Sequence, residues 1–310
     1  MLARAGAWAG RVVGWLLLLA CAAASADEES GWARYPQAVV ARPLTLPALV
    51  FQPFVGVAVT NATAVVDPLV STVKATGTGL SLSFGGDVGL TSRAQLGLLF
   101  TLPLSPAADF GAFTATFQYA LLRDLVNLRL DIGAQRRDLF YPVNGTPTQD
   151  IVDGFVAGIG LPIKARIGRH VAIVSGSTSA RGFDSSPLVT DGHFYKFGDG
   201  LATQDLFTVA IWPGRGTGGA VHLPIGLVFQ PVPALALGLR SGYRLTVLTA
   251  SDCAATSFVH QIPVALDVTV SIGRHLDLAA TAQVAGTVGG ATSRGFADVR
   301  KFDLWVVVRL

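Results

Sequence analysis

Ionisable and amide side chains recur at every second position along several short segments of the chain. In an extended chain, alternate side chains share one face, so these residues line a common surface. Such a surface, mixing both charge signs with amides, can bind or pass small solutes, or it can form a buried network that only fills the interior. Both interpretations stay open. The strongest candidates for this surface are Arg93, Gln95, Asn127, Arg129, Asp131, Gln135, His222, Arg240, Asp277 and Asp303. The wider set adds Gln52, Asp87, Gln118, Lys164, Gln283 and Arg309.

The residue types that usually carry catalysis have no supporting pattern around them. His170 and His275 fall in turns by position, and His260 has Ser257 nearby without a recognisable catalytic motif. The spacing of the acidic loop residues matches no calcium loop. We therefore predict no catalytic residue, no metal site, no cofactor and no enzymatic activity. The acidic loop residues considered, with their neighbouring histidine, are Asp191, His193, Asp199 and Asp205.

The elements that position the polar face are short strands. Residues 80–104 contain two arms separated by the polar turn Thr91-Ser92-Arg93. One face of each arm is apolar, and the other carries small or polar residues. Arms of about ten residues with this division are typical of a closed barrel in a lipid bilayer. The sequence therefore predicts an all-β fold, a transmembrane antiparallel up-and-down β-barrel.

Composition supports short strands over helical membrane spans. The 310 residues are 51% hydrophobic and only 14% charged, with 35 glycines, and mean hydropathy is +0.51. After the N-terminus, no apolar run reaches the 18 residues that a helical span needs. The whole chain has a formal net charge of only +3, which falls further once the basic N-terminal segment is removed. Nucleic acid is therefore not an expected partner.

The N-terminus has the features of an export signal. Arg4 and Arg11 precede or flank an apolar run, and Ala24-Ser25-Ala26 forms a small-residue cleavage site. We predict a signal peptide over residues 1–26, with lipidation of Cys21 as the alternative processing. Residues 27–47 are then a periplasmic lead-in and residues 48–310 the barrel. Outside the signal only Cys253 remains, so no internal disulfide forms.

Counting the alternating segments gives roughly twelve strands: one opening strand, five hairpins and one closing strand. The even number is expected of bacterial single-chain barrels. The tetrad Ile-Gly-Arg-His stands in two of the predicted turns, at 167–170 and 272–275. The predicted long connections are residues 61–79, 138–150, 178–218, 245–256 and 286–297. Residues 206–212 lie within the longest of them and are either an extra strand or half of an external hairpin.

The closing segment, Phe302 to Leu310, alternates apolar and polar residues and resembles the C-terminal strand of bacterial outer-membrane barrels, although those usually end in Phe or Trp. The segment from Gly89 to Leu98 is similar to a turn-and-strand sequence of channel-like barrels, including the family named for the MetA pathway of phenol degradation. This resemblance implies an outer-membrane location and porin-like transport of small solutes.

The same resemblance implies three partners: membrane lipid, an unidentified small-molecule solute, and the barrel-assembly machinery acting on the closing strand. Two other outer-membrane functions stay open. One is a structural or surface-binding barrel with a plugged lumen, and the other is an outer-membrane enzyme. A secreted β-sandwich is the alternative outside the membrane class, and it would pack the apolar faces against a second sheet.

Overall fold

The computed structural model describes residues 35–66, 73–105, 111–143, 146–175, 187–190, 193–196, 205–213, 216–250, 256–287 and 295–310. The predicted signal peptide lies outside the described residues. A short 3-10 helix spans Val39–Ala41. The strands are β1 Phe51–Val66, β2 Val73–Gly89, β3 Ala94–Ser105, β4 Ala112–Leu122, β5 Val126–Val143, β6 Thr146–Gly160, β7 Lys164–Ile167, β8 Val171–Val174, β9 Pro187–Thr190, β10 His193–Lys196, β11 Asp205–Trp212, β12 Gly216–Val232, β13 Leu235–Ala250, β14 Thr256–Ile272, β15 Leu276–Thr287 and β16 Gly295–Val308.

The sheet closes into an antiparallel barrel of twelve staves. Strands β1 to β6 pair in sequence, and β12 to β16 do the same. Three further pairings complete the ring. They join β1 to β16, β11 to β12 and β11 to β6. In the described part of the chain, these pairings carry the sheet around the whole ring, and a closed sheet is the kind that can stand in hydrocarbon. The predicted fold class and strand number are confirmed.

One stave is made of two strands that are far apart in sequence. Strand β8 pairs with residues 226–229 of β12, and β11 pairs with residues 216–221 of the same strand. The two therefore lie end to end along β12. Between these two pairings, β12 continues through residues 222–225, and one of them is Pro224, which has no N–H to donate. Residues 206–212, which the sequence left ambiguous, thus belong to the barrel wall.

The barrel wall is apolar outside and polar inside. Ile225 and Leu266 are 60% and 59% exposed on the outer surface, whereas Asp303 is 1% exposed and Thr101 fully buried. An apolar surface of this extent is unfavourable in water and favourable in a bilayer. The outer side chains thus form the belt that the alternation predicted, and the strands that the structure describes belong to one sheet. Among the described residues, no helix is long and apolar enough to cross a membrane.

Several strands continue beyond the segments that the sequence predicted. Residues 138–150, expected as a loop, instead extend β5 and β6, which pair up to Val143 and Thr146. Likewise, β1 runs to Val66 and β2 begins at Val73 inside the predicted loop 61–79. In these extensions the sequence does not show the alternation of apolar and polar residues, while the backbone ladder continues. The two-residue periodicity therefore located the apolar belt correctly but underestimated the length of the strands.

The repeated tetrad forms two equivalent turns. Gly168 and Gly273 have φ of +70° and +64°, a left-handed conformation that favours glycine. In each turn the histidine backbone carbonyl accepts a hydrogen bond from the neighbouring strand, and its Nδ1 lies 2.7 Å (His170) or 3.3 Å (His275) from a carbonyl oxygen. Both histidines are therefore structural turn residues, as predicted. The barrel end with these short turns is called the turn end below.

Candidate functional site

The lumen at the turn end is filled by the chain that precedes β1. Residues 35–50, called the N-terminal plug below, enter the barrel as a loop with the single 3-10 turn. Val39 and Val40 pack in an apolar cluster with wall residues such as Val228, while Tyr35 and Leu46 pack with Val50. Burial of these side chains holds the plug by the hydrophobic effect. The predicted lead-in is thus, from Tyr35 onward, an internal element.

Hydrogen bonds fasten the plug to most of the circumference of the barrel. Wall glutamines are the main partners, because an amide both donates and accepts and can therefore satisfy an irregular backbone inside a protein. The contacts lie on β3, β4, β12 and β14, so the plug crosses the lumen. They are Leu46 N to Gln95 Oε1 at 2.8 Å, Gln118 Nε2 to Leu44 O at 2.6 Å, Val40 N to Gln230 Oε1 at 2.8 Å, and Gln37 Nε2 to Ser271 O at 3.0 Å.

A buried ion cluster joins the plug to the last two staves. Arg42 donates to both carboxylate oxygens of Asp277, at 2.5 and 3.0 Å, and Arg309 donates to the same carboxylate. Arg309 also donates to Gln52 at 2.9 Å. Both guanidiniums lie over the Tyr35 ring, 5.8 and 5.3 Å from its centroid. Burial raises the pKa of the Tyr35 phenol despite these cations, so the ring stays neutral at physiological pH.

Lys164 holds the plug from the opposite wall. Its ammonium donates to the backbone carbonyl of Val39 at 3.2 Å and to that of Arg42. The residue is 6% exposed. A buried ammonium that contacts carbonyl oxygens is stabilised less than one paired with a carboxylate, because no opposite formal charge offsets its desolvation.

Two further ion pairs line the wall. Arg129 and Asp131 form a bidentate pair with Nε–Oδ2 and Nη2–Oδ1 distances of 2.6 and 3.0 Å, and Thr116 donates to the same carboxylate. Arg240 forms a similar pair with Asp267. Both pairs are buried and bidentate, the arrangement in which the charges offset their desolvation best. Asp267 was absent from the sequence prediction. Its register partner on the neighbouring strand β13 is Gly238.

On β16, Asp303 connects Lys301 to Trp305. The lysine Nζ lies 3.5 Å from the carboxylate, and the indole Nε1 donates to it at 2.9 Å. The Trp305 ring covers Gly56 on β1, where an added Cβ would approach ring atoms to 2.4 Å. Phe54 contacts the same ring edge to face, with centroids 6.0 Å apart. These side chains fill the lumen beside the closing seam of the barrel.

The structure places most of the predicted inward residues inside the barrel. Asn127, Arg129, Asp131, His222, Arg240, Asp277 and Asp303 are buried, and Gln95 reaches the plug. The structure does not bring them into one cluster. They divide between the plug contacts, the separate wall pairs and the seam. Gln135 lies on β5, and its side chain is outside the described part of the structure.

Arg93 is the exception among the predicted inward residues. It is exposed, and β3 begins only at Ala94. The Thr91 hydroxyl accepts hydrogen bonds from the backbone N–H groups of Arg93 and Ala94, at 3.1 and 3.0 Å. This side-chain-capped turn takes Arg93 out of the strand, so the two-residue alternation does not apply to it.

A cavity of about 160 Å³ remains between the plug and the wall. Arg42, Arg129, Lys164 and Arg309 line it together with Asp87 and Asp277. Within the described ranges, no group of three His, Cys, Asp or Glu side chains is arranged to hold a metal ion. Residues of the plug and of the wall line this cavity together.

Solved structures with the same architecture are bacterial outer-membrane barrels. The COG4313 outer membrane channel from Pseudomonas putida F1 is 12% identical, with 86% of this chain and 97% of that chain covered and a TM-score of 0.51. The translocator domain of the autotransporter NalP from Neisseria meningitidis is also 12% identical (99% and 98% covered, TM-score 0.44). A monoaromatic hydrocarbon channel, a TodX mutant, is 10% identical (91% and 94% covered, TM-score 0.41). No protein-family model and no curated protein matches the sequence.

At these identities the likeness shows the fold. Together with the apolar belt, it places the chain in the structural class of outer-membrane-type β-barrels. Within that class, the particular form is a twelve-stave antiparallel barrel with an N-terminal plug at its turn end.

Proposed function

We propose that this chain is an outer-membrane channel or transporter for small solutes, with its turn end on the periplasmic side and the N-terminal plug restricting its lumen. The observation that carries the proposal is the plug itself. It is a separate segment held mainly by side-chain contacts and by few backbone ladder bonds, so it can leave while the barrel stays closed. A barrel with a purely structural role needs no removable filling.

The likeness to an outer membrane channel supports the same conclusion at the level of the fold. The wall behind the plug also supports it. Asp87, Gln95, Gln118 and Lys164 face the cavity, so withdrawal of the plug exposes a polar passage to water. Solutes small enough to pass side chains of this kind are the expected cargo.

Conductance through planar bilayers tests the proposal. A variant lacking residues 27–47 should conduct several-fold more than the full mature chain, because the plug no longer crosses the lumen. A deletion restricted to residues 27–34 serves as the matched control and should conduct like the full chain. The proposal is wrong if the longer deletion folds, as shown by heat-dependent mobility on a gel, but conducts no more than a protein-free bilayer.

A structural or surface-binding barrel is the second candidate function. The observation that favours it is the pairing of inward charges, since Arg129 with Asp131 and Arg240 with Asp267 satisfy one another across the wall. Such pairs fill space and add rigidity without contacting a solute. The conductance of the plug-deleted barrel decides between the two candidates.

A further inference from the structure

The cavity between the N-terminal plug and the wall carries more positive than negative charge. Arg129 is neutralised by its bidentate partner Asp131. Among the lining residues that the structure describes, the remaining cations are Lys164, Arg42 and Arg309, and the carboxylates beside them are Asp87 and Asp277. Outside the cavity, the positive charge of Arg166 disfavours the Lys164 ammonium and the negative charge of Asp124 favours it. The cavity therefore holds one positive charge in excess.

Lys164 is where this excess is least compensated. Arg42 and Arg309 share one carboxylate, whereas the described contacts of Lys164 are two backbone carbonyls. An ammonium has three N–H groups, so these contacts use two of them. In a buried, low-dielectric site, an excess cation with a remaining donor favours an anion strongly.

The size and the remaining walls of the cavity restrict which anion fits. A cavity of about 150 Å³ holds a benzene-sized molecule, and this one measures about 160 Å³. The rest of the lining combines uncharged polar side chains, such as those of Gln95 and Gln118, with apolar ones, and a fully hydrated inorganic ion would leave the apolar part in contact with water. Six of the apolar residues are Val39, Leu44, Leu46, Val174, Ala279 and Val307.

We propose that the cavity binds a small organic carboxylate whose apolar body has about the size of one benzene ring, with the carboxylate at the Lys164 ammonium. The inference rests on the proposed function, because it names the chemical class of the solute at the plugged lumen. It assigns Lys164 as the residue that selects the negative charge. The apolar part of the cavity lining contacts the body of the solute, and the cavity volume limits its size.

Benzoate is the test probe, and benzamide and benzylamine are its neutral and cationic counterparts of similar shape. Binding to the purified full mature chain in detergent is measured by isothermal titration calorimetry. Benzoate should bind at least about tenfold more tightly than benzamide. A hydrogen bond between charged groups is more stable than a neutral one, and the difference in free energy corresponds to roughly a tenfold change in affinity. Benzylamine should give no binding. Equal binding of benzoate and benzamide, or binding of neither, overturns the proposal.

Three variants locate the charge. In Lys164→Gln, the amide still donates to the plug carbonyls, but the cation is lost, so the preference for benzoate over benzamide should disappear. Lys164→Arg keeps the charge and should keep the preference. The matched control is Lys301→Gln, which alters another buried lysine outside this cavity. Retained preference in Lys164→Gln refutes the assignment, and if that variant does not fold, loss of the preference in Lys164→Arg refutes it instead.

The experiment separates this proposal from the proposed function, because equilibrium binding requires no transport. A barrel that binds benzoate but stays silent after plug deletion contradicts transport alone. If the plug-deleted barrel conducts but the full mature chain binds benzoate no better than benzamide, only the carboxylate site is contradicted.

Discussion

Asp277→Asn is expected to release the N-terminal plug while leaving the barrel closed. The carboxylate is the shared partner of Arg42 and Arg309, and its side chain is 5% exposed. The substitution keeps the shape and one acceptor oxygen but removes the only negative charge between two buried guanidiniums. Breaking a buried pair by removing one charged partner costs about 3–5 kcal/mol.

Only the plug can leave to relieve this cost, because Arg309 is held beside β16 by the backbone bond from its N–H to the His275 carbonyl. Arg42 lies on the plug, and withdrawal of the plug carries its charge into water. A shift of about 3 kcal/mol changes the ratio of docked to undocked plug by about two orders of magnitude. The conductance of the barrel should therefore rise as the plug amides lose their protection from hydrogen exchange.

Hydrogen exchange followed by mass spectrometry measures this directly. Peptides covering residues 35–50 include the Val40 and Leu46 amides, which donate to glutamine side chains, and these should exchange faster in Asp277→Asn. The matched control is Asp303→Asn, which removes a buried carboxylate with no described plug contact and should leave the plug amides protected. Unchanged exchange over residues 35–50 in Asp277→Asn would refute the reasoning.

Three further predictions concern the wall, each measured as the free energy of unfolding in urea. Arg129→Met alone should cost about 3–5 kcal/mol, because Asp131 stays buried without its cation, and adding Asp131→Leu should recover most of that loss. Leu130→Arg should cost about 2–4 kcal/mol by placing a charge in the apolar belt. Gly56→Ala should cost about 1–3 kcal/mol and shift Trp305 fluorescence, since the new methyl group overlaps the indole ring.

Each of these has its own control and its own contradiction. A double variant no more stable than Arg129→Met would show that the pair is not the source of the loss. For the belt, Leu125→Arg, also outward but in a turn at the barrel end, should cost less than about 1 kcal/mol, and equal costs would contradict the belt. For the seam, Gly168→Ala would meet no neighbouring atom, and although its φ of +70° makes alanine costly for stability, the variant should leave Trp305 fluorescence unchanged.

The sequence predicted the barrel because the two-residue alternation is a local property. Asn127, Arg129 and Asp131 share a face by spacing alone, and the structure buries all three. The strand ends were not predictable in this way, since residues 61–79 and 138–150 carry no regular alternation of apolar and polar residues. Arg93 shows the limit at a turn, where the Thr91 hydroxyl caps the turn and β3 begins one residue later than the pattern indicated.

The N-terminal plug was not predictable by spacing. Arg42 and Asp277 are separated by 235 positions, and no local pattern connects them. A signal was nonetheless present, since Val39, Val40 and Leu46 are apolar residues in a segment interpreted as an exposed lead-in. Its prolines do exclude a regular strand, which is what the structure shows. They do not exclude burial, because glutamines from the wall satisfy the backbone.

The position of the plug partners also sets an order of events during folding. The plug precedes the first stave, yet the carboxylate that receives Arg42 lies on β15, and Arg309 follows β16. The first and last staves meet where the Phe51 and Leu310 backbones exchange hydrogen bonds of 3.1 and 2.9 Å. Contacts between such distant parts of a chain form slowly, since a large loop must close first. We therefore expect the contacts of Asp277 with Arg42 and the neighbouring Arg309 to form only after the last two strands are in place.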